Sequence, residues 1–367
     1  MAKEKMTKTG IKPMRDSNVE LLRLLCMLMV LMHHMLLKGP KVAGFSIDYS
    51  VLTNDVKIAS FLNQFFYCAV DVFILISGYY GIKSKVKGVV NLYVKCTWWS
   101  SLCYFAYLLW TGGSLGRWGL THNCVFTLSN ARWFIASYIC LYLIAPILNM
   151  TIERMTKYQF RKWLVILFVI NVYLGWFWGN SVNYNGYNVA NLIFLYYIGR
   201  YLNHYCPVHE SKRFLYVMVY LSCAILLGCV GAYGSWKEVT DLNYSLTEKY
   251  NNPILIIESI ALLYVFLTIR VQSRFINWLA TSVLAVYLIH QNPYVDEWIT
   301  DYLNSHFYTW GESIRWLFLV LFSLGIYVSC LLLDKLSAVL YQPLSRWLLH
   351  WVDKGYAFLQ KIMRANC

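Results

Sequence analysis

Charge is what this chain has least of. Asp, Glu, Lys and Arg make up 14% of its 367 residues, where soluble domains carry roughly 25%. So little polar surface cannot coat a water-soluble globule of this length. With 59% hydrophobic residues, the chain is also too apolar to stay disordered. No CxxC or metal-ligand spacing is found among its 11 Cys, which excludes a disulfide scaffold and gives no sign of a metal site. The cysteines sit in apolar runs and read as small hydrophobes inside helices. Internal repeats are absent, and no loop is long enough for a separate soluble domain. No RNA-binding, zinc-finger or helix-turn-helix signature accompanies the formal net charge of +14, so a nucleic-acid partner is not expected. A basic surplus is instead ordinary for cytoplasmic loops beside anionic lipid.

What is present is apolar sequence in long runs, with a mean hydropathy of +0.47. A helix crosses the hydrocarbon core with about 20 apolar residues, and ten stretches qualify: 19–37, 57–80, 89–110, 131–150, 163–179, 188–205, 214–232, 253–270, 277–292 and 314–334. The expected fold is therefore all-α, a polytopic integral membrane protein of about ten transmembrane helices. With both termini cytoplasmic, 24 of the 32 Lys and Arg fall on the cytoplasmic side, as the positive-inside rule requires. One membrane domain is expected over 1–334, its residues 1–18 forming a basic N-tail. Residues 335–367 read as a basic amphipathic cytoplasmic tail along the membrane surface. The first apolar run has no small-residue cleavage site after it and contains Arg23, His33 and His34, so it reads as a retained helix rather than a signal peptide.

Ionisable groups inside spans are costly and mark function by default. Arg23 and His34 are 11 residues apart, three turns plus about 20°, so they share one helix face about 16 Å apart along the axis. Asp16 lies on the same face, whereas His33 is rotated about 100° away and reads as a bystander. Asp71 in the second span falls near the depth of Arg23, and an Arg23–Asp71 ion pair is the least costly way to keep both charges in low dielectric. Glu258 and His290 fall near the depth of His34 and are candidates to orient it. Each of these groups also has a plain structural reading: a packing imidazole, a structural salt bridge, or for His290 a helix-cap histidine. Trp98, Trp99, Trp110, Trp118 and Trp133, like the Tyr184–Tyr187 segment, read as interfacial belts, with a sugar-stacking role for the tyrosines as the alternative.

Beyond these residues, the chain resembles the membrane-bound acyltransferase-3 family. The stretch from Arg15 to Met35, with Arg23 and His34 at the family's spacing, is similar to its first helix. The run Val70-Asp71-Val72-Phe73 to Ser77-Gly78-Tyr79 is similar to its second-helix signature. Arg132-Trp133, Pro146 to Asn149, Ile198-Gly199-Arg200 and Val286 to His290 resemble further family segments in family order. The resemblance implies transfer of an acyl group, usually acetyl from acetyl-CoA, to a sugar hydroxyl of an envelope polysaccharide or glycolipid, at a multi-pass site in the plasma or inner membrane. Acetyl-CoA would be a co-substrate, with no metal. His34, Arg23, Asp71, Glu258 and His290 would form the catalytic set, and Ser77, Tyr79, Arg132, Trp133 and Asn149 would contact substrate. Lys83, Lys85, Lys87 and Lys95 would meet the CoA phosphates, where relatives more often carry Arg clusters, which suit bidentate recognition better. The expected partners are membrane lipid, acyl-CoA and a glycan or lipid-linked acceptor, with a homo-oligomer left open. A multi-pass exporter of a glycan or lipid-linked substrate is the competing reading, although such folds tend to show internal repeats and helices broken in matching positions.

Overall fold

The computed structural model describes residues 16–40, 54–125, 133–179, 183–236 and 246–365. Among them every regular element is helical. The longer helices are α1 (Ser17–Lys38), α2 (Asn54–Tyr67), α3 (Ala69–Tyr80) and α4 (Val86–Thr111), then a short α5 (Arg117–Leu120). Next come α6 (Trp133–Arg154), α7 (Lys157–Phe168, continued by a π-helical segment to Phe177), α8 (Val189–Tyr205) and α9 (Arg213–Trp236). The chain closes with α10 (Pro253–Leu267), α11 (Arg274–Ala280), α12 (Val283–His290), α13 (Pro293–His306) and α14 (Glu312–Ala365).

Among the described residues, six helical segments are long and apolar enough to cross a membrane: Ser17–Lys38, Asn54–Tyr80, Trp133–Arg154, Lys157–Phe177, Glu210–Gly234 and Ile314–Gly355. The expected crossings at 89–110, 188–205, 253–270 and 277–292 are carried by α4, α8, α10 and the α11–α12 pair, which do not reach that mark. Helices α8 and α10 and the divided α11–α12 pair fall short in length, whereas α4 is one continuous helix of 26 residues that falls short in apolar content. Asn252 and Asn292 each cap a helix with the side-chain oxygen, followed by Pro at the first helical position, where its missing N–H costs nothing. Thus 293–306, expected as an outer loop, starts a helix directly after α12. The last helix also differs, running unbroken through 335–365 with Pro343 inside it.

Helix α1 is the axis of the molecule. It contacts α2, α3, α10, α11, α12, α13 and α14, and its buried residues lie on nearly all sides, including Leu22, Cys26, Leu31 and Met35. The second apolar span is interrupted at Cys68, between α2 and α3. Carbonyls near an interruption within lipid need partners; the Tyr220 hydroxyl donates to Phe65 O at 2.8 Å and Ser259 Oγ to Cys68 O at 3.2 Å. Helices α3 and α8 touch backbone to backbone. A Cβ on Gly78 would run into the Tyr196 carbonyl, and one on Gly199 into that of Leu75, so small residues set this crossing.

Candidate active site

In the C-terminal half of α1, His33 and His34 face a cavity of about 290 Å³. Its lower wall is apolar, with Val30 and Met27 one and two turns before the histidines and Val70 and Phe73 from α3; Leu284 and Tyr287 of α12 close one side. The upper wall is aromatic. Tyr67 and Tyr250 stack at 4.7 Å with 2° between their planes, and Trp133 lies 5.2 Å from Tyr250 and 4.7 Å from Tyr187. The Tyr67 and Tyr187 hydroxyls hydrogen-bond at 2.7 Å, and Tyr250 N donates to Asn185 O at 2.9 Å, which ties this wall to the segment before α8.

The hydrogen bonds fix the tautomers. His290 Nδ1 is 2.6 Å from Val286 O one turn back. A carbonyl only accepts, so Nδ1 carries the proton, and in the neutral ring Nε2 of His290 holds a lone pair. That Nε2 is 3.1 Å from His34 Nδ1, which must therefore donate. The neutral His34 ring then keeps its basic lone pair on Nε2. His290 is fully buried, whereas His34 is half-buried on the cavity wall. A relay from a backbone carbonyl through one imidazole to a second is the arrangement that orients a general base.

His33 is no bystander to this cavity. It lines the wall, its Nδ1 lies 2.6 Å from Asn63 Oδ1, and its ring meets Tyr67 edge-on at 5.2 Å. The 100° offset from His34 placed it on another face, but α1 is packed on several faces, so that offset still points inward. Asn63, Tyr67 and Tyr250 are further contributors that sequence reasoning did not single out, and Tyr187 belongs to the segment it read as an interfacial belt.

The expected Arg23–Asp71 pair does not form. Arg23 Nη1 instead bonds Glu20 Oε1 at 2.7 Å, one turn away and half exposed. Asp71, 1% exposed, has no hydrogen-bond partner on either oxygen. It interacts electrostatically with Glu258, which is equally buried and is hydrogen-bonded by the Cys68 thiol. Depth counting matched heights but not directions around the axis, and a long Arg side chain reaches its nearest carboxylate toward water. Glu258 therefore stands with Asp71, while the contact to His34 is made by His290.

The remaining expected residues divide. Trp133 is in the cavity wall. Ser77 Oγ donates to its own helix at Phe73 O, 2.9 Å away, and Tyr79 bonds Asn203 of α8. Asn149 accepts from the Tyr196 hydroxyl at 2.6 Å and donates to Ile82 O at 2.9 Å, fastening α6 to the turn after α3. Arg132 lies outside the described residues. Lys83, Lys85 and Lys87 are exposed around the start of α4. Lys95 is not exposed: it is buried and paired with Asp334 at 2.9 Å, an ion pair across 239 residues of chain.

A family model described as an acyltransferase domain, of the acyltransferase-3 type, matches residues 16–334. No curated protein and no solved structure matches the chain.

Proposed function

The chain belongs to the acyltransferase-3 family, and from that premise we propose that it is an integral membrane O-acetyltransferase acting on a sugar hydroxyl of an envelope polysaccharide or glycolipid. The observation that carries this reading is the Val286–His290–His34 relay opening on an aromatic-walled cavity. Acetyl-CoA is the donor, its phosphates met by exposed lysines such as Lys83 and Lys85 and its thioester end beside His34. The acceptor ring stacks against Trp133 and Tyr250, since aromatic faces suit the apolar face of a pyranose.

The step balances within the two substrates. His34 Nε2 takes the hydroxyl proton as the oxygen attacks the thioester carbonyl. The tetrahedral carbon then expels the sulfur, and the proton on His34 passes to the thiolate, giving the ester and free CoA thiol. His290 holds His34 in the donating tautomer and shares the transient positive charge. In this reading the chain has about ten crossings with both termini in the cytoplasm, and it resides in the plasma or inner membrane.

Purified protein in lipid nanodiscs, given labelled acetyl-CoA and envelope glycan, should release one CoA thiol per ester formed on the glycan. Movement of unmodified glycan across vesicles, with no thiol release, would instead establish the exporter reading.

A further inference from the structure

A second cavity, of about 730 Å³, opens between α4, α11 and α14 and shares no lining residue with the first. Four cations line it, Lys87, Lys95, Lys335 and Arg346, against a single carboxylate, Asp334. That carboxylate is fully engaged. It accepts from Lys95 Nζ at 2.9 Å, Trp99 Nε1 at 3.1 Å and the Tyr341 hydroxyl at 3.2 Å. Lys95 also donates to Thr281 O at 3.1 Å, while Lys335 bonds Trp278 O and Thr281 Oγ1 and lies 4.4 Å over the Trp278 ring.

These bonds fasten the three walls to one another, so the cavity is shaped in advance. They leave Lys87 and Arg346 with no ion pair among the described residues, at a site where positive charge exceeds negative. Next to it α14 presents Leu336, Val339 and Leu340, exposed by 73%, 74% and 64%, an apolar strip suited to acyl chains. Basic pockets between helices at the cytoplasmic side of a membrane are built for phosphate headgroups, and a volume of this order holds a small molecule rather than a bare ion.

We propose that this cavity is a phosphate-binding site, with Lys87 and Arg346 as its ligand cations, filled by the headgroup of an anionic phospholipid whose chains lie along α14. A soluble phosphate ester such as the nucleotide end of CoA carries the same chemistry, and that source alone rests on the acyl-transfer reading.

The full-length protein in phosphatidylcholine nanodiscs separates the sources. Phosphatidylglycerol binding is counted by native mass spectrometry, and 3′-phospho-ADP binding is measured by equilibrium dialysis. Retention of phosphatidylglycerol over phosphatidylcholine identifies the lipid headgroup; saturable uptake of the nucleotide identifies the soluble ester. In either case Lys87→Gln/Arg346→Gln weakens binding of the probe at least tenfold, while Lys162→Gln, at an exposed lysine of α7 away from both cavities, does not. Should the double variant fail to assemble, Arg346→Gln alone must still weaken it severalfold. Equal binding by wild type and the variants, or binding of neither probe by the wild type, overturns the proposal. No readout involves turnover, so the site stands or falls separately from acyl transfer.

Discussion

His34 donates through Nδ1 to His290 Nε2 across 3.1 Å, and His290 in turn donates to the carbonyl of its own helix at Val286. An imidazole held this way has its second nitrogen fixed as an acceptor at the cavity wall. The orienting group is an imidazole rather than a carboxylate, so the pair brings no fixed counter-charge.

Replacing His34 with Ala should therefore reduce acetyl transfer by about 10²–10⁴-fold, the range of a positioned general base, with unchanged membrane assembly. His290→Phe keeps the bulk and removes the acceptor. Its loss should be about 10²-fold, confined to kcat, and partly rescued in His290→Gln, whose carbonyl can accept from His34. Thiol release at varied acetyl-CoA gives kcat and KM separately; an unaltered kcat in His290→Phe would remove it from the relay.

Arg23 and Asp71 should behave as strangers. Their substitutions, Arg23→Gln and Asp71→Asn, are expected to add within about 0.5 kcal/mol, as sites without shared partners do. Asp71→Asn and Glu258→Gln should depart from additivity by more than that, because their carboxyls interact electrostatically in a buried setting. Unfolding in mixed SDS micelles measures all four, and coupling between Arg23 and Asp71 would restore the ion pair.

Much of this site could be read in the sequence, and the misreadings have one cause. The Arg23–His34 spacing and the Asp71 run located the two helices that meet at α1, and matching depth brought His290 into view. Depth says nothing about direction around a helix. That is why Glu258 was offered to His34 and Arg23 to Asp71, and why His33 was set aside. The break at Cys68 and the one between α11 and α12 carry no Gly or Pro to announce them. Lys95 looked like a loop-side cation because its partner, Asp334, lies more than half the chain away.

Lys95→Met should destabilise the fold by about 3–5 kcal/mol, since it strands a carboxylate that is 2% exposed without its cation. The double variant Lys95→Met/Asp334→Leu removes both charges and should recover most of that loss. Thermal unfolding followed by fluorescence-detected gel filtration reports both, and a double variant no better than the single would show that the pair is not what holds α4 to α14.

Glu248, in the segment just before α10, is pushed by burial up to about 7. A carboxyl raised in the folded state favours folding while protonated. Its contribution is complete below the unfolded value of about 4.3 and is lost as pH rises through about 7. The wild-type melting temperature should accordingly fall, relative to Glu248→Gln, between about pH 5 and 8. Parallel pH profiles for the two proteins would show that Glu248 titrates as if exposed.

Pro343 sits inside α14, where it cannot donate to the carbonyl of Val339 four residues back. Val339 and Gln342 are also part of the 730 Å³ cavity wall. The longest helix of the protein thus has its compliant joint at the same height as its basic hollow. Above the joint α14 is clamped by Asp334; below it Ser345 hydrogen-bonds Asn91, and Leu348, Leu349 and Val352 pack against Val90 and Val94, so both halves of the rod are tied to α4. A molecule lodged in that hollow would bridge the joint, touching α14 both before the proline, at Lys335, and after it, at Arg346.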